Sequence, residues 1–244
     1  MAKKLSGKIA IITGASAGIG WSSALALAEE GANLVVTGRR KHRLDELAKL
    51  ALTAGAGGVT TVPGNAQEEA IAKECVAAAL KFGAIDILIN NVGMGIYKDL
   101  VDTSVEDYHT MVNTNILTTF LFTRFAVPHM IERGSGTILM ISSMAGVYGF
   151  AGEAVYCATK FSQVGFAQAL DRELRPKGIK VGILCPGGVK TEFAIGTGRT
   201  EQGVKDSNML EAEDVARAVL LACTQSPGSR IIEIQMRTMA ESLA

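Results

Sequence analysis

Short apolar runs rich in β-branched residues alternate along the chain with longer stretches whose apolar positions recur at helical spacing. The short runs are apolar at consecutive positions, the mark of strands covered on both faces, so the pattern predicts repeated βα units around a parallel sheet. The first strand is predicted over Lys8 to Thr13 and the first helix over Gly18 to Glu30, where Gly31 stops it. Strands two to four fall near Asn33 to Thr37, Val59 to Pro63 and Ile85 to Asn90, with helices near Lys41 to Ala54 and Gln67 to Lys81 between them. A long helical stretch, Val105 to Arg133, leads to strand five at Thr137 to Ser142, and a second, Ala154 to Arg175, to strand six at Lys180 to Leu184. A last helix, Ala212 to Thr224, precedes strand seven at Arg230 to Met236. The fold class expected is α/β, a doubly wound parallel sheet of seven strands with helices on both faces.

No repeat, low-complexity tract or Pro/Ser linker interrupts this pattern, so the 244 residues read as one domain spanning 1–244. With 48% hydrophobic and 20% charged residues the chain has enough apolar material to bury a core and too little net polarity for disorder. Lys plus Arg equal Asp plus Glu at 24 each, which argues against a nucleic acid or an anionic membrane surface as partner. Cys75, Cys157, Cys185 and Cys223 are scattered without a C-x-x-C pair and read as free thiols in a reducing compartment. His42, His109 and His129 stand far apart, and no metal is expected. Lys3 and Lys4 precede an apolar stretch, Ile9 to Ile12, that is too short for a signal peptide, and no uncharged apolar run reaches the roughly 18 residues that span a bilayer. A cytoplasmic protein is the expectation.

The first strand ends in Thr13-Gly14-Ala15-Ser16-Ala17-Gly18-Ile19-Gly20, where a helix begins. Glycines let a backbone approach a pyrophosphate closely, and the helix N-terminus behind them offers free N–H groups and partial positive charge. A tight structural connection is the plainer reading, but the position at the first βα junction favours phosphate. A P-loop hydrolase needs Lys then Ser/Thr after its last glycine, and here Trp21 and Ser22 follow Gly20.

Tyr156 and Lys160 lie four residues apart in a helical segment and therefore share a face. An ammonium beside a phenol favours the phenolate and draws its pKa down from about 10 toward working pH, which suits an acid/base pair. Such pairs also occur on ordinary helix surfaces, so the neighbours decide. Ser142 and Ser143 close strand five at its carboxyl end, where open α/β sheets place ligands, and a hydroxyl there can hydrogen-bond a carbonyl oxygen. Met94 and Met144 adjoin these segments as candidate pocket walls. The most irregular stretch, Pro186 to Asn208, carries Gly187, Gly188, Gly196, Gly198 and Gly203 and reads as a mobile lid beyond strand six.

Taken in order, T-G-x-x-x-G-I-G at Thr13 to Gly20, N-N-x-G at Asn90 to Gly93, I-S-S at Ile141 to Ser143, Y-x-x-x-K at Tyr156 to Lys160 and P-G at Pro186-Gly187 resemble the short-chain dehydrogenase/reductase family over nearly the whole chain. The resemblance implies a Rossmann-like fold and a dinucleotide cofactor held by Gly14, Ser16, Ala17, Gly18, Ile19, Gly20, Asn65, Asn91, Gly93, Pro186, Gly187, Val189 and Thr191. It further implies Tyr156 as acid/base, Lys160 on the nicotinamide ribose and Ser143 on the carbonyl. The family's fourth residue is an asparagine. Of Asn113 and Asn115, Asn115 stands nine residues before the arginine of Thr123-Arg124, as in relatives, and its implied role is a proton relay through water to Lys160. Three positions depart from the family: Val92 for the usual alanine, Asn65 for a common aspartate, and Ile231 to Met236 in place of a V-D-G-G ending.

An NAD-using relative places an acidic side chain just beyond strand two, where it would repel a 2′-phosphate. Gly38 stands there, followed by Arg39 and Arg40, whose guanidinium groups suit a phosphate dianion, so NADP(H) is the cofactor expected. The function implied is an oxidoreductase that interconverts a carbonyl and a secondary alcohol, either a broad carbonyl reductase or, from the Ile231 to Arg237 stretch, a relative of 3-hydroxy acid and serine dehydrogenases. The alternative from another class is a sensor or scaffold that binds NADP(H) without turnover. The two long helices carry more apolar surface than a sheet face needs, which with the resemblance implies a homodimer or homotetramer.

Overall fold

The computed structural model describes residues 3–240. The strands are β1 Ile9–Thr13, β2 Asn33–Gly38, β3 Gly58–Pro63, β4 Ile87–Asn90, β5 Gly136–Ile141, β6 Ile179–Pro186 and β7 Glu233–Met236. They form one seven-stranded sheet in the order β3-β2-β1-β4-β5-β6-β7, and every pairing is parallel. The helices are α1 Gly18–Glu29, α2 Lys41–Ala54, α3 Glu69–Phe82, α4 Val105–Val112, α5 Thr118–Arg133, α6 Ala154–Leu174, α7 Glu201–Lys205 and α8 Ala212–Cys223. Successive strand residues point to opposite faces, and the core divides accordingly. Ile11, Val35 and Leu88 pack with Phe122, Met130 and Leu174 on one face. Ile12, Leu34 and Ile89 pack with Leu27, Leu44 and Val215 on the other. Strand order reverses between β1 and β4, which opens a crevice at their carboxyl ends.

The architecture agrees with the sequence reading, and three elements differ from it for identifiable reasons. The predicted helix Val105 to Arg133 is three pieces: α4, a π-helical turn at Asn113–Leu117, and α5. Strand four begins at Ile87 because Asp86 serves as a buried clasp. Its carboxylate accepts from Ile9 N at 2.9 Å and pairs with Lys8 at 2.9 Å and Arg133 at 3.0 Å. Strand seven is cut to Glu233–Met236, since Arg230 turns away to Asp171 at 2.8 Å. The cysteines are free; Cys75, Cys157 and Cys185 are buried and Cys223 is half-buried. No helix among the described residues is long and apolar enough to cross a membrane.

Candidate active site

A cavity of about 590 Å³ runs along the carboxyl edge of the sheet, from Arg39 and Arg40 beyond β2 to Ser143, Tyr156 and Lys160 beyond β5. At its first stretch the chain leaves β1 through Gly14 at φ +65° and enters α1 at Gly18, φ +54°, both left-handed conformations that favour glycine. Ala17, the residue before α1, offers no side-chain cap, so the first N–H groups of that helix stay directed at the cavity mouth. A Cβ on Gly18 would lie 2.7 Å from Thr191 Cγ2, so the segment after β6 closes directly over the turn. Asn91 braces it from the other side, its Nδ2 donating to Thr13 O at 3.0 Å and Gly14 O at 3.2 Å, while Thr13 Oγ1 accepts from the Asn91 and Val92 N–H groups.

Beyond β2 the two arginines are not equivalent. Arg40 donates to Ser16 O at 3.2 Å and pairs with Glu192 at 2.7 Å. Arg39 is exposed, lines the cavity and has no ion-pair partner among the described residues.

At the other end, Ser142 and Ser143 divide their work. Ser142 Oγ is buried and donates to Lys160 O at 3.1 Å, which seats α6 on β5. Ser143 Oγ accepts from Ala145 N at 3.1 Å and faces Tyr156 across the cavity. The helical spacing places Tyr156 and Lys160 on one buried face of α6, Nζ lying 5.8 Å from the ring centroid. Tyr97 and Phe193 flank the phenol, with ring centroids 5.6 and 5.8 Å from its own.

The electrostatics differ from the sequence expectation. Burial pushes the Tyr156 phenol up from its ordinary value, with the Ser143 hydrogen bond and the Arg199 charge opposing it, and Lys160 is not what controls it. Burial also pushes Lys160 down to about 8. The ammonium donates to Ile141 O and Gln163 Oε1, both at 3.1 Å, and these acceptors oppose that fall only in part.

Asn115 sits in the π-helical turn, fully buried. Its Oδ1 accepts from Met94 N at 2.8 Å, and its Nδ2 donates to Met94 O at 2.9 Å and Thr159 Oγ1 at 2.8 Å. Its backbone oxygen accepts from Gln163 Nε2 at 2.9 Å and Thr119 Oγ1 at 2.9 Å. Both acceptor positions of that carbonyl are thus engaged. The Gln163 carboxamide links Asn115 directly to Lys160.

Of the residues expected at the site, all but Gly20 and Asn115 line the cavity, as do Met94 and Met144. Gly20 instead packs inside the turn, where a Cβ would lie 2.5 Å from Asn91 Nδ2 and Gly14 O. Sequence reasoning missed Gln163, Tyr97, Phe193, Glu192 and Arg199. Gln163 left one signal, a polar residue three positions after Lys160 on the same helix face. The others lie on loops without a motif. The segment after β6 contains more order than a plain lid, with a bridge from Val189 to Leu210 and the short α7.

The sequence model of the short chain dehydrogenase family matches residues 8–202. The chain belongs to that family. It is 33% identical over 234 residues to an uncharacterized oxidoreductase of Staphylococcus aureus (strain USA300), covering 96% of this chain and 98% of that protein. Among solved structures it is similar to an alcohol dehydrogenase from the archaeon Thermococcus sibiricus complexed with 5-hydroxy-NADP, with TM-score 0.88, 26% identity and coverage of 97% and 99%. It is likewise similar to the closed form of a serine dehydrogenase complexed with NADP+, with TM-score 0.88, 31% identity and coverage of 97% of each chain. Membership makes the chain an oxidoreductase of the short chain dehydrogenase type.

Proposed function

We propose that this protein is an NADP(H)-dependent oxidoreductase that interconverts a carbonyl and a secondary alcohol. The observation that carries the reading is the convergence of Ser143, Tyr156 and Lys160 at one end of a cavity whose other end holds a glycine turn and Arg39, which has no ion-pair partner among the described residues. The cradle fits a dinucleotide: Gly14 and Gly18 would let the backbone approach its pyrophosphate, the uncapped start of α1 would supply N–H donors to it, and Arg39 would suit a 2′-phosphate. When bound, such a cofactor supplies or accepts the hydride. The NADP-complexed alcohol and serine dehydrogenases to which the chain is similar support the same choice.

The protein's own residues then do the rest. Ser143 Oγ orients the substrate oxygen by hydrogen bond, and Tyr156 Oη gives it a proton in reduction or takes one in oxidation. Burial raises the phenol, so the protonated form needed for reduction persists through neutral and mildly alkaline pH. Lys160 Nζ, anchored by Ile141 and Gln163, would hold a ribose hydroxyl of the cofactor. Asn115 holds the Met94 segment and, through Gln163, the lysine. Tyr156→Phe keeps the ring and removes the transferable proton. With ketones, aldehydes and hydroxy acids screened by nicotinamide absorbance, it should lose at least about a hundredfold in kcat, and near-normal turnover would refute the mechanism. Tight NADP(H) binding with consistent silence across the panel would favour a sensor or scaffold.

The Ile231–Arg237 stretch and the similarity to serine dehydrogenase support a hydroxy-acid substrate over a broad carbonyl reductase. Phe120 and Phe161, exposed at 45% and 46% on α5 and α6, support self-association through those helices.

A further inference from the structure

At the substrate end of the cavity stands a cation that the mechanism does not use. Arg199 lines the cavity and is half-buried, and it has no ion-pair partner among the described residues. Its guanidinium carbon lies 5.9 Å from the Tyr97 ring centroid and 5.7 Å from that of Phe193, the two rings that flank Tyr156. One aromatic layer therefore separates this charge from the proton donor.

The loop that carries Arg199 is tightly fastened. Ala194, at φ +60°, takes a left-handed conformation that costs a non-glycine residue energy, and its carbonyl accepts from Thr197 N at 3.1 Å and Arg199 N at 2.9 Å. Arg199 O in turn accepts from Gly196 N at 2.9 Å. Thr197 then binds the segment after β4, its Oγ1 donating to Gly95 O at 2.7 Å and its carbonyl accepting from Tyr97 N at 2.8 Å. A strained turn tied to the segment after β4 holds Arg199 at a fixed place beside the Tyr97 and Phe193 rings.

Glu153 lines the same end of the cavity but forms no ion pair with Arg199. Burial pushes its carboxyl up, against the pull of Arg199, and the guanidinium stays free of it. A partly desolvated guanidinium fork without a carboxylate matches a planar anion from outside.

We propose that Arg199 anchors a carboxylate on the substrate, so that the site takes short oxo acids or hydroxy acids with the reacting carbon at Tyr156 and Ser143. This deepens the reading under Proposed function and rests on it. A charge-assisted contact of this kind corresponds to roughly 10- to 150-fold discrimination.

The test is a matched pair, acetoacetate against methyl acetoacetate, reduced with NADPH by the protein, Arg199→Gln and Arg199→Lys. The acid should exceed the ester in kcat/KM by at least about tenfold. That ratio should collapse in Arg199→Gln and persist in part in Arg199→Lys, and added salt should raise KM for the acid alone. An ester used as well as the acid, or an Arg199→Gln that lowers both by one factor, overturns the anchor and leaves the carbonyl chemistry standing. Calorimetry with the same pair on NADP-loaded protein reads the anchor without turnover. Acid-selective binding that Arg199→Gln abolishes upholds it even where no hydride transfer is seen, an outcome that counts against the proposed reaction instead. No selectivity in either assay overturns it.

Discussion

Cofactor choice turns on Arg39. Arg40 is already committed, donating to Ser16 and pairing with Glu192 at 2.7 Å, so a phosphate reaching it must displace a carboxylate. Arg39 has neither obligation and lines the cavity beside Gly38, where no acidic side chain opposes a 2′-phosphate. A charged hydrogen bond of about 1.5 to 3 kcal/mol gives roughly 10- to 150-fold preference, and the exposure of Arg39 favours the lower part of that range. NADPH should therefore exceed NADH in kcat/KM by about one to two orders of magnitude. Arg39→Leu should remove most of the difference by weakening NADPH alone. Reversal needs a carboxylate as well. A Cβ on Gly38 would lie 3.2 Å from Ser16 Oγ and 3.3 Å from its Cβ, so Gly38→Asp asks Ser16 to yield by a few tenths of an ångström, without backbone strain. Steady-state kinetics with both cofactors on one substrate, for the protein, Arg39→Leu and Gly38→Asp/Arg39→Leu, measures each step. The preference should also shrink as ionic strength rises. Equal use of the two cofactors by the unmodified protein, or an Arg39→Leu that loses NADH activity as steeply as NADPH activity, would refute the reasoning.

Gln163→Leu deletes an acceptor of the Lys160 ammonium while Thr119 still serves the Asn115 carbonyl, so kcat/KM should drop by about tenfold and its alkaline limb should move to lower pH; Gln163→Glu should move the limb up, and a limb that stays put in both would reduce Gln163 to packing. Lys160 itself, held at about 8 against an ordinary 10.5, makes the unfolded chain bind more protons between those values, so stability should rise with pH across that window. In urea titrations at pH 7 and pH 10, the protein should gain about 2 to 3 kcal/mol relative to Lys160→Met, and no differential gain would show the lysine to be ordinarily solvated. Sedimentation at micromolar concentration should give a dimer or larger species, and Phe120→Glu with Phe161→Glu should shift it toward monomer; a monomeric unmodified protein contradicts the interface.

Most of the sheet was legible because its inner strands, such as β1, β4 and β6, are buried and read as unbroken apolar runs, set between helices bounded by glycine. Gly55 ends α2 in a left-handed conformation, as its position after Ala54 suggests. Strand four was overestimated by Ile85 and Asp86, since apolar pattern alone does not reveal that Asp86 spends its carboxylate on Ile9, Lys8 and Arg133. The π-helical turn was invisible for a related reason. One extra residue in a turn shifts the helical phase too little to register over a few residues, and its stabilisation comes from tertiary contacts, chiefly the Asn115 side chain on Met94.

The site divides the same way. Tyr156 and Lys160 could be placed on one face from sequence because fixed spacing on a helix fixes where side chains point, while Ser143 was singled out from Ser142 by the family resemblance. What surrounds them could not, because it is assembled across long separations. Gln163 meets Asn115 across 48 positions, and Thr197 meets Gly95 across 102. Ala194 adopts a conformation that its identity argues against, held by bonds to Thr197 and Arg199, so nothing local announces that Arg199 faces the cavity. An asparagine located by its distance from Thr123-Arg124 was expected to pass a proton through water. Its carbonyl also receives the amide of a glutamine whose oxygen holds Lys160. The short-range motif picks out the lysine, burial draws it down to about 8, and the long-range contact fixes where its ammonium points.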